Sequence, residues 1–172
     1  MYWVISSLAV KRAEERQSIL SALAHRIPIG LGGFLLAYQH WPPPLNRVWT
    51  TRADWALATG AAICLTGLFV TLWARWMLAG NWSSNVTFKQ GHELVKSGPY
   101  RFVRHPICSG LLIMVVGTAL EAGGLHCWLA VPAVVVGFWI KLRQEEALLL
   151  RHFPEAYPAY CRQVKALVPF VV

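Results

Sequence analysis

WALATGAAICLTGLFVTLWARWMLAG, Trp55 to Gly80, decides the fold class. The run exceeds the roughly 20 apolar residues that an α-helix needs to cross about 30 Å of hydrocarbon. Its small residues Ala58, Ala62 and, slightly off register, Gly67 predict a face that a neighbouring helix can approach closely. The rest of the chain shares the bias. Of 172 residues, 56% are hydrophobic and only 14% charged, against about 25% charged in soluble domains. Nine tryptophans, among them Trp73, Trp76 and Trp82 around the end of this run, suit the membrane–water boundary, where an indole buries its ring and keeps its N–H wet. The length allows one domain. The chain reads as a single all-α integral membrane domain, residues 1–172.

Working outward, four further apolar runs give about five transmembrane helices, the first one short. YWVISSLAV, Tyr2–Val10, is about half of a bilayer crossing. It is followed by charges rather than by a small-residue cleavage site, and no basic stretch precedes it, so it does not read as a cleavable signal. The second run, from about Ile19 to Trp41, contains Arg26 and Pro28. Arg26 lies close enough to the start to snorkel, and the proline-rich loop WPPPLNRVWTTR ends the helix. After an aqueous connector over 81–104, a run over Pro106–Leu120 and one over Cys127–Leu142 are joined by EAGGL, a loop so tight that the two must be antiparallel neighbours. The remainder has helical periodicity interrupted by prolines and predicts an interfacial or cytosolic helix pair.

The net charge of +8 would suit nucleic acid if it formed one stripe. It does not. Lys11, Arg12 and Arg16 lie on one connector, Lys89, Lys96, Arg101 and Arg104 on another, and Lys141, Arg143, Arg151, Arg162 and Lys165 in the tail. The intervening loops carry Arg47 and Arg52 in one case and no Lys or Arg in the other. Alternation of basic and non-basic connectors is a topology signal. It places the 81–104 connector and the tail together on the cytoplasmic face of what reads as a bacterial inner membrane, with no nucleic-acid partner. On that face Asn81 and Asn85 match the glycosylation pattern by accident. Cys64, Cys108, Cys127 and Cys161 lack metal-ligand spacing and read as free thiols, with no metal site.

The chemistry-bearing side chains fall on these two cytoplasmic pieces. SGPYRFVRHPICSG, Ser97–Gly110, sets Tyr100, Arg101, Arg104 and His105 against an apolar run; His92 precedes it; Lys141, Arg143, Glu145 and Glu146 follow the last span. Read alone, paired carboxylates are a solvated helix face, His92 is an exposed loop residue, and the two arginines are topology anchors or pocket walls. Directly after an apolar span, one carboxylate can instead turn inward while Glu146 supports an arginine.

The order GHELVKSGPYRFVRHP, then a span, then KLRQEE and HFPEAY, resembles the isoprenylcysteine carboxyl methyltransferase family and its relatives among membrane phospholipid methyltransferases. The resemblance covers about residues 81–172, over half of the chain; residues 1–80 add compatible helices without a motif. It implies an S-adenosyl-L-methionine-dependent methyltransferase whose cofactor pocket is built by the connector, the helix hairpin and the C-terminal segment, with a lipophilic or lipid-linked acceptor arriving from the membrane lipid. The implied cofactor-binding residues are His92, Glu93, Leu94, Val95, Tyr100, His105, Pro106, Ile107, Cys108 and Glu145, and Lys141 is the implied acceptor contact. Cys108 stands where the family has an aromatic residue, and Lys141 where it has an arginine, which loses the bidentate fork suited to a carboxylate. A carboxylate acceptor needs no general base; for an amine or thiol, His92 or His105 is the candidate. An NADPH-dependent membrane reductase related to sterol reductases, and a non-catalytic membrane scaffold, are the competing readings.

Overall fold

A computed structural model describes residues 13–16, 18–50, 53–78, 87–89 and 94–168. It contains five helices, α1 (Ile19–Ala37), α2 (Asp54–Leu78), α3 (Pro106–Ala122), α4 (Leu125–His152) and α5 (Ala156–Gln163). A 3-10 turn spans Gly98–Arg101. The architecture is all-α apart from one two-stranded antiparallel ladder, β1 (Ala13–Arg16) on β2 (Thr87–Lys89). That ladder joins the first basic connector to the 81–104 connector, as the charge alternation requires. Helices α1, α2 and α4 are long and apolar enough to cross a membrane; α3, at 17 residues, is a shorter apolar helix. The short run over Tyr2–Val10 lies outside the described residues.

Helix ends follow local chemistry. The Ser18 hydroxyl caps α1 by accepting from the Ser21 N–H at 3.2 Å. Pro106 opens α3 at a position where a missing N–H costs nothing. Gly123 closes α3 with a φ of 71°, a left-handed conformation that favours glycine. Of the expected helix pair after Leu142, the second member is α5, whereas the first is the last span continued. KLRQEEALLLRH contains no glycine or proline and is made largely of strong helix formers, so α4 runs on to His152 and stops before Pro154. Its 28 residues span about 42 Å at the standard rise, so roughly a third of the helix stands outside a ~30 Å hydrocarbon layer.

Helix α1 packs on α4, α2 packs on α3, and the α3–α4 hairpin sits between them. The α2–α3 seam is made by two glycine pairs. A Cβ on Gly67 would lie 2.5 Å from the Gly110 carbonyl oxygen, and one on Gly60 would lie 2.8 Å from that of Gly117. Backbones in such contact exclude any side chain. Gly67 was expected on this face, but Ala58 and Ala62 are exposed, and Gly60 takes their place. The α1–α4 seam has its own close approaches, Gly32 against Val134 and Gly137 against Ile29. Between the seams, Cys108, Val134, Phe138 and Leu142 form the buried core.

Candidate functional site

The connector enters the site through the 3-10 turn. Gly98 adopts a φ of 60° with its α-carbon against Met77, which tucks the turn onto the end of α2. Tyr100 is buried, and its hydroxyl donates to the Ala74 carbonyl at 3.4 Å. The Tyr160 hydroxyl in turn donates to the Tyr100 carbonyl, and burial pushes the Tyr160 pKa up to about 12. Tyr157, Tyr160 and Val164 form a small core on which Leu94 of the connector and Phe153 also pack.

Beyond the turn the chain is held by the C-terminal tail. The Arg104 N–H donates to Lys165 O at 2.8 Å, the His105 N–H to Ala166 O at 3.0 Å, and the Ser109 hydroxyl to Leu167 O at 2.6 Å. These bonds give partners to backbone groups that would otherwise be stranded at the mouth of α3. They also fix His105 as the residue before Pro106, its ring aimed at α4.

There His105 meets both carboxylates. Nδ1 lies 3.4 Å from Glu145 Oε2 and Nε2 lies 3.3 Å from Glu146 Oε1. Consecutive helical residues point about 100° apart, so one ring bridges two directions. Arg104 closes the outer side, donating to Glu146 Oε1 from Nε at 3.0 Å and from Nη2 at 2.7 Å, and from Nη1 to the Val164 carbonyl. Lys141, one turn back on α4, donates to Glu145 Oε1. Burial disfavours a protonated ring, but the hydrogen bonds to Glu145 and Glu146 outweigh it, and the His105 pKa is raised above the ordinary imidazole value. Two acids are thus shared among three cationic groups at the protruding end of the helices.

The structure brings together His105, Glu145, Lys141, Tyr100 and the buried Pro106. Leu94, Val95 and Ile107 are half-buried, Leu94 against the tyrosine core. His92 and Glu93 lie outside the described residues. Cys108 is adjacent in sequence, but its side chain is in the core with Val134 and Phe138. The two arginines separate: Arg104 is in the cluster, whereas Arg101 is exposed over the Phe102 ring at 5.2 Å. Arg143 points away, over Trp139 at 5.0 Å. Among the described residues no group of three or more His, Cys, Asp or Glu is placed to hold a metal.

Buried polar groups that escaped the sequence reading include Arg75 and His25. Arg75, 2% exposed at the end of α2, lies within electrostatic range of Tyr100. His25, 1% exposed on α1, is hydrogen-bonded to Gln144, the residue before Glu145. Each is a charged or polar residue inside an apolar run, the one signal that marked them.

Such a fold and such a cluster define a helical integral membrane protein with a buried ionic site at one end of its spans. Residues 55–156 match the phospholipid methyltransferase family, and the chain belongs to that family. It is similar to the protein-S-isoprenylcysteine O-methyltransferase B of Arabidopsis thaliana, 36% identical over 48% of this chain and 43% of the relative. A probable protein-S-isoprenylcysteine O-methyltransferase of Oryza sativa subsp. indica is 32% identical over 50% of this chain and 46% of the relative. The fold is also that of a eukaryotic intramembrane isoprenylcysteine carboxyl methyltransferase, with a TM-score of 0.58 and 21% identity, covering 99% of this chain and 53% of that one. The chain therefore spans about half the length of the relatives it matches. The resemblance drawn from SGPYRFVRHP and the paired glutamates holds.

Proposed function

We propose that the protein is a membrane methyltransferase that binds S-adenosyl-L-methionine at the 94–105 connector and Glu145 and passes its methyl group to a lipophilic acceptor. The observation that carries the reading is the convergence of His105 and Glu145 at the protruding end of the spans, within a chain of the phospholipid methyltransferase family. The donor supplies an electrophilic methyl on a cationic sulfur. The residues present suit it: Glu145, half-buried beside His105, offers a carboxylate to a cationic ligand, for which charge-assisted hydrogen bonds are strong. The buried Tyr100 supplies an aromatic wall, and the buried Cys108 lies within electrostatic range of Lys141 and Glu145.

His92, Glu93, Leu94, Val95, Pro106 and Ile107 complete the proposed cofactor contacts. Lys141 is the proposed contact of the acceptor, and its single cationic head suits an anionic group without imposing the geometry an arginine would. The three spanning helices let a lipophilic acid, phenol or amine, or an isoprenylcysteine-like lipid-linked carboxylate, approach from the bilayer. Residues 81–172 form the catalytic region and 1–80 its membrane scaffold. The density of Lys and Arg at the site end favours a cytoplasmic location for the chemistry. Holding donor and acceptor in line, away from water, is the main catalytic contribution expected of such a site.

Calorimetry on the detergent-solubilised protein tests this reading. S-adenosylhomocysteine is expected to bind, and Glu145→Ala to weaken it by about a hundredfold, as removal of a charge-assisted contact of 2–3 kcal/mol requires. Binding of NADPH but not of S-adenosylhomocysteine would instead identify a reductase, and binding of neither a scaffold. Transfer of labelled methyl to a total membrane lipid extract or to small lipophilic acids, phenols and amines then identifies the acceptor class.

A further inference from the structure

Helix α1 lies outside the residues that match the family, yet it reaches the site through a polar latch. His25 Nδ1 is 2.8 Å from Gln144 Oε1, and Gln144 Nε2 donates to the Ser21 carbonyl at 2.9 Å. The Ser21 carbonyl can only accept, so the amide nitrogen of Gln144 must face it and the amide oxygen must face the ring. That orientation makes His25 the donor and fixes its proton on Nδ1. The ring is 1% exposed within an apolar run, a setting where an unmatched polar group is costly and a matched one fixes one arrangement of the helices.

Gln144, Glu145 and Glu146 are consecutive on α4 and project about 100° apart. One contacts α1, the next His105 and Lys141, the third Arg104 and His105. The helix is therefore gripped from two flanks, by α1 on one and by the mouth of α3 on the other. Further along α4, the close contacts of Gly137 with Ile29 and of Gly32 with Val134 set the distance between the two helices. A seam of close backbone contacts sets spacing, whereas a hydrogen bond is directional, so the latch adds an angular restraint on α4 from the α1 side.

We infer that His25 is a positioning residue: acting through Gln144, it sets the rotation of α4 that holds Glu145 and Lys141 toward the connector. The inference rests on the methyl-transfer reading for its consequence in donor binding, but the latch can be tested without it. The charged groups within electrostatic range of His25 are Lys141 on α4 and Arg26 on its own helix. Lys141 thus senses both flanks.

The test compares His25→Leu, Gln144→Asn and His25→Asn in the full chain in detergent. Asparagine at 25 places an N–H close to where Nδ1 stood; asparagine at 144 is one methylene too short to bridge. His25→Leu and Gln144→Asn are expected to weaken S-adenosylhomocysteine binding by about tenfold, the worth of a strong interhelical hydrogen bond. Their double mutant is expected to be no worse than either alone, and His25→Asn to recover most of the loss, which a mere packing role for the ring would not give. Acylation of Lys141 by an amine reagent, mapped by mass spectrometry, is expected to quicken in the two broken variants and not in His25→Asn. If His25→Leu does not fold, Gln144→Asn and His25→Asn carry the same comparison. Wild-type affinity and wild-type Lys141 labelling in the folded broken variants overturn the inference. Absence of binding by the wild-type protein overturns the methyl-transfer reading, and Lys141 labelling then decides the latch alone.

Discussion

The two ends of the α3–α4 hairpin solve the same problem by different means. At the far end, the loop after α1 straps the turn with neutral bonds: Trp49 N–H to Gly123 O at 2.7 Å, Leu125 N–H to Arg47 O at 2.9 Å, His126 N–H to Leu45 O at 3.1 Å. A cavity of about 360 Å³ lined by Pro44, Arg47, Val48, Trp49 and Leu125 lies there, with no ion pair described beside it. At the site end, four ion pairs converge on Glu145 and Glu146, from Arg104, His105 and Lys141. The far end shows that backbone bonds suffice to close a hairpin. Buried charges are a poor way to gain stability, because desolvation offsets most of their attraction. Their concentration at one end is the kind of arrangement in which functional sites are found, and it agrees with the methyl-transfer proposal.

The contrast can be broken most severely at Arg104. Arg104→Ala leaves Glu146 with His105 and takes the donor from the Val164 carbonyl, and is expected to lower stability by about 3 kcal/mol, the usual cost of removing one partner from a buried charged network, read as a fall in thermal midpoint in detergent. Replacing both partners, Arg104→Met with Glu146→Leu, sharpens the point. The double variant is expected to match the wild type within about 1 kcal/mol in the same measurement, because no charge is left unmatched.

A smaller effect follows from His105. Its pKa is raised on folding by the two carboxylates. Its stabilising contribution is therefore complete below about pH 6.5, the unfolded value, and is lost as pH rises through the folded value. The thermal midpoint of the ligand-free protein is expected to fall as pH rises above about 6.5, and His105→Gln to flatten that slope. A slope unchanged in His105→Gln would assign the dependence to another group. The smallest effect belongs to the far end. Arg47→Ala removes a side chain but not the Arg47 carbonyl that holds Leu125, and is expected to change stability by no more than about 0.5 kcal/mol in the same assay.

Much of the site was legible before folding because the connector and the end of α4 carry unusual residues in apolar company. Tyr100, His105, Glu145 and Lys141 stand out in a chain with few charges, and Glu146 does support an arginine. The helix faces were not legible. Lipid-exposed and protein-facing positions are both apolar in a membrane helix, so periodicity does not say which side is inside. For that reason Ala58 and Ala62 looked as suitable as Gly60 for the seam, and His25, a polar residue in an apolar run, could not be told from one that snorkels to the nearby helix start.

The extended helix α4 shows the opposite failure. Its polarity changes at Lys141, which a reading of hydropathy takes as an end, although hydrogen bonding along the backbone has no reason to stop there. The sequence by itself determined three of the spans, through their apolar length, several helix ends, through glycine, proline and serine, and which connectors share a side, through their positive charge. Only the tertiary structure decided which glycines meet, that the tail returns to bond Arg104 and His105, and that α1 grips α4 through Gln144. Those choices depend on the surface a neighbouring helix presents, and no residue encodes that alone.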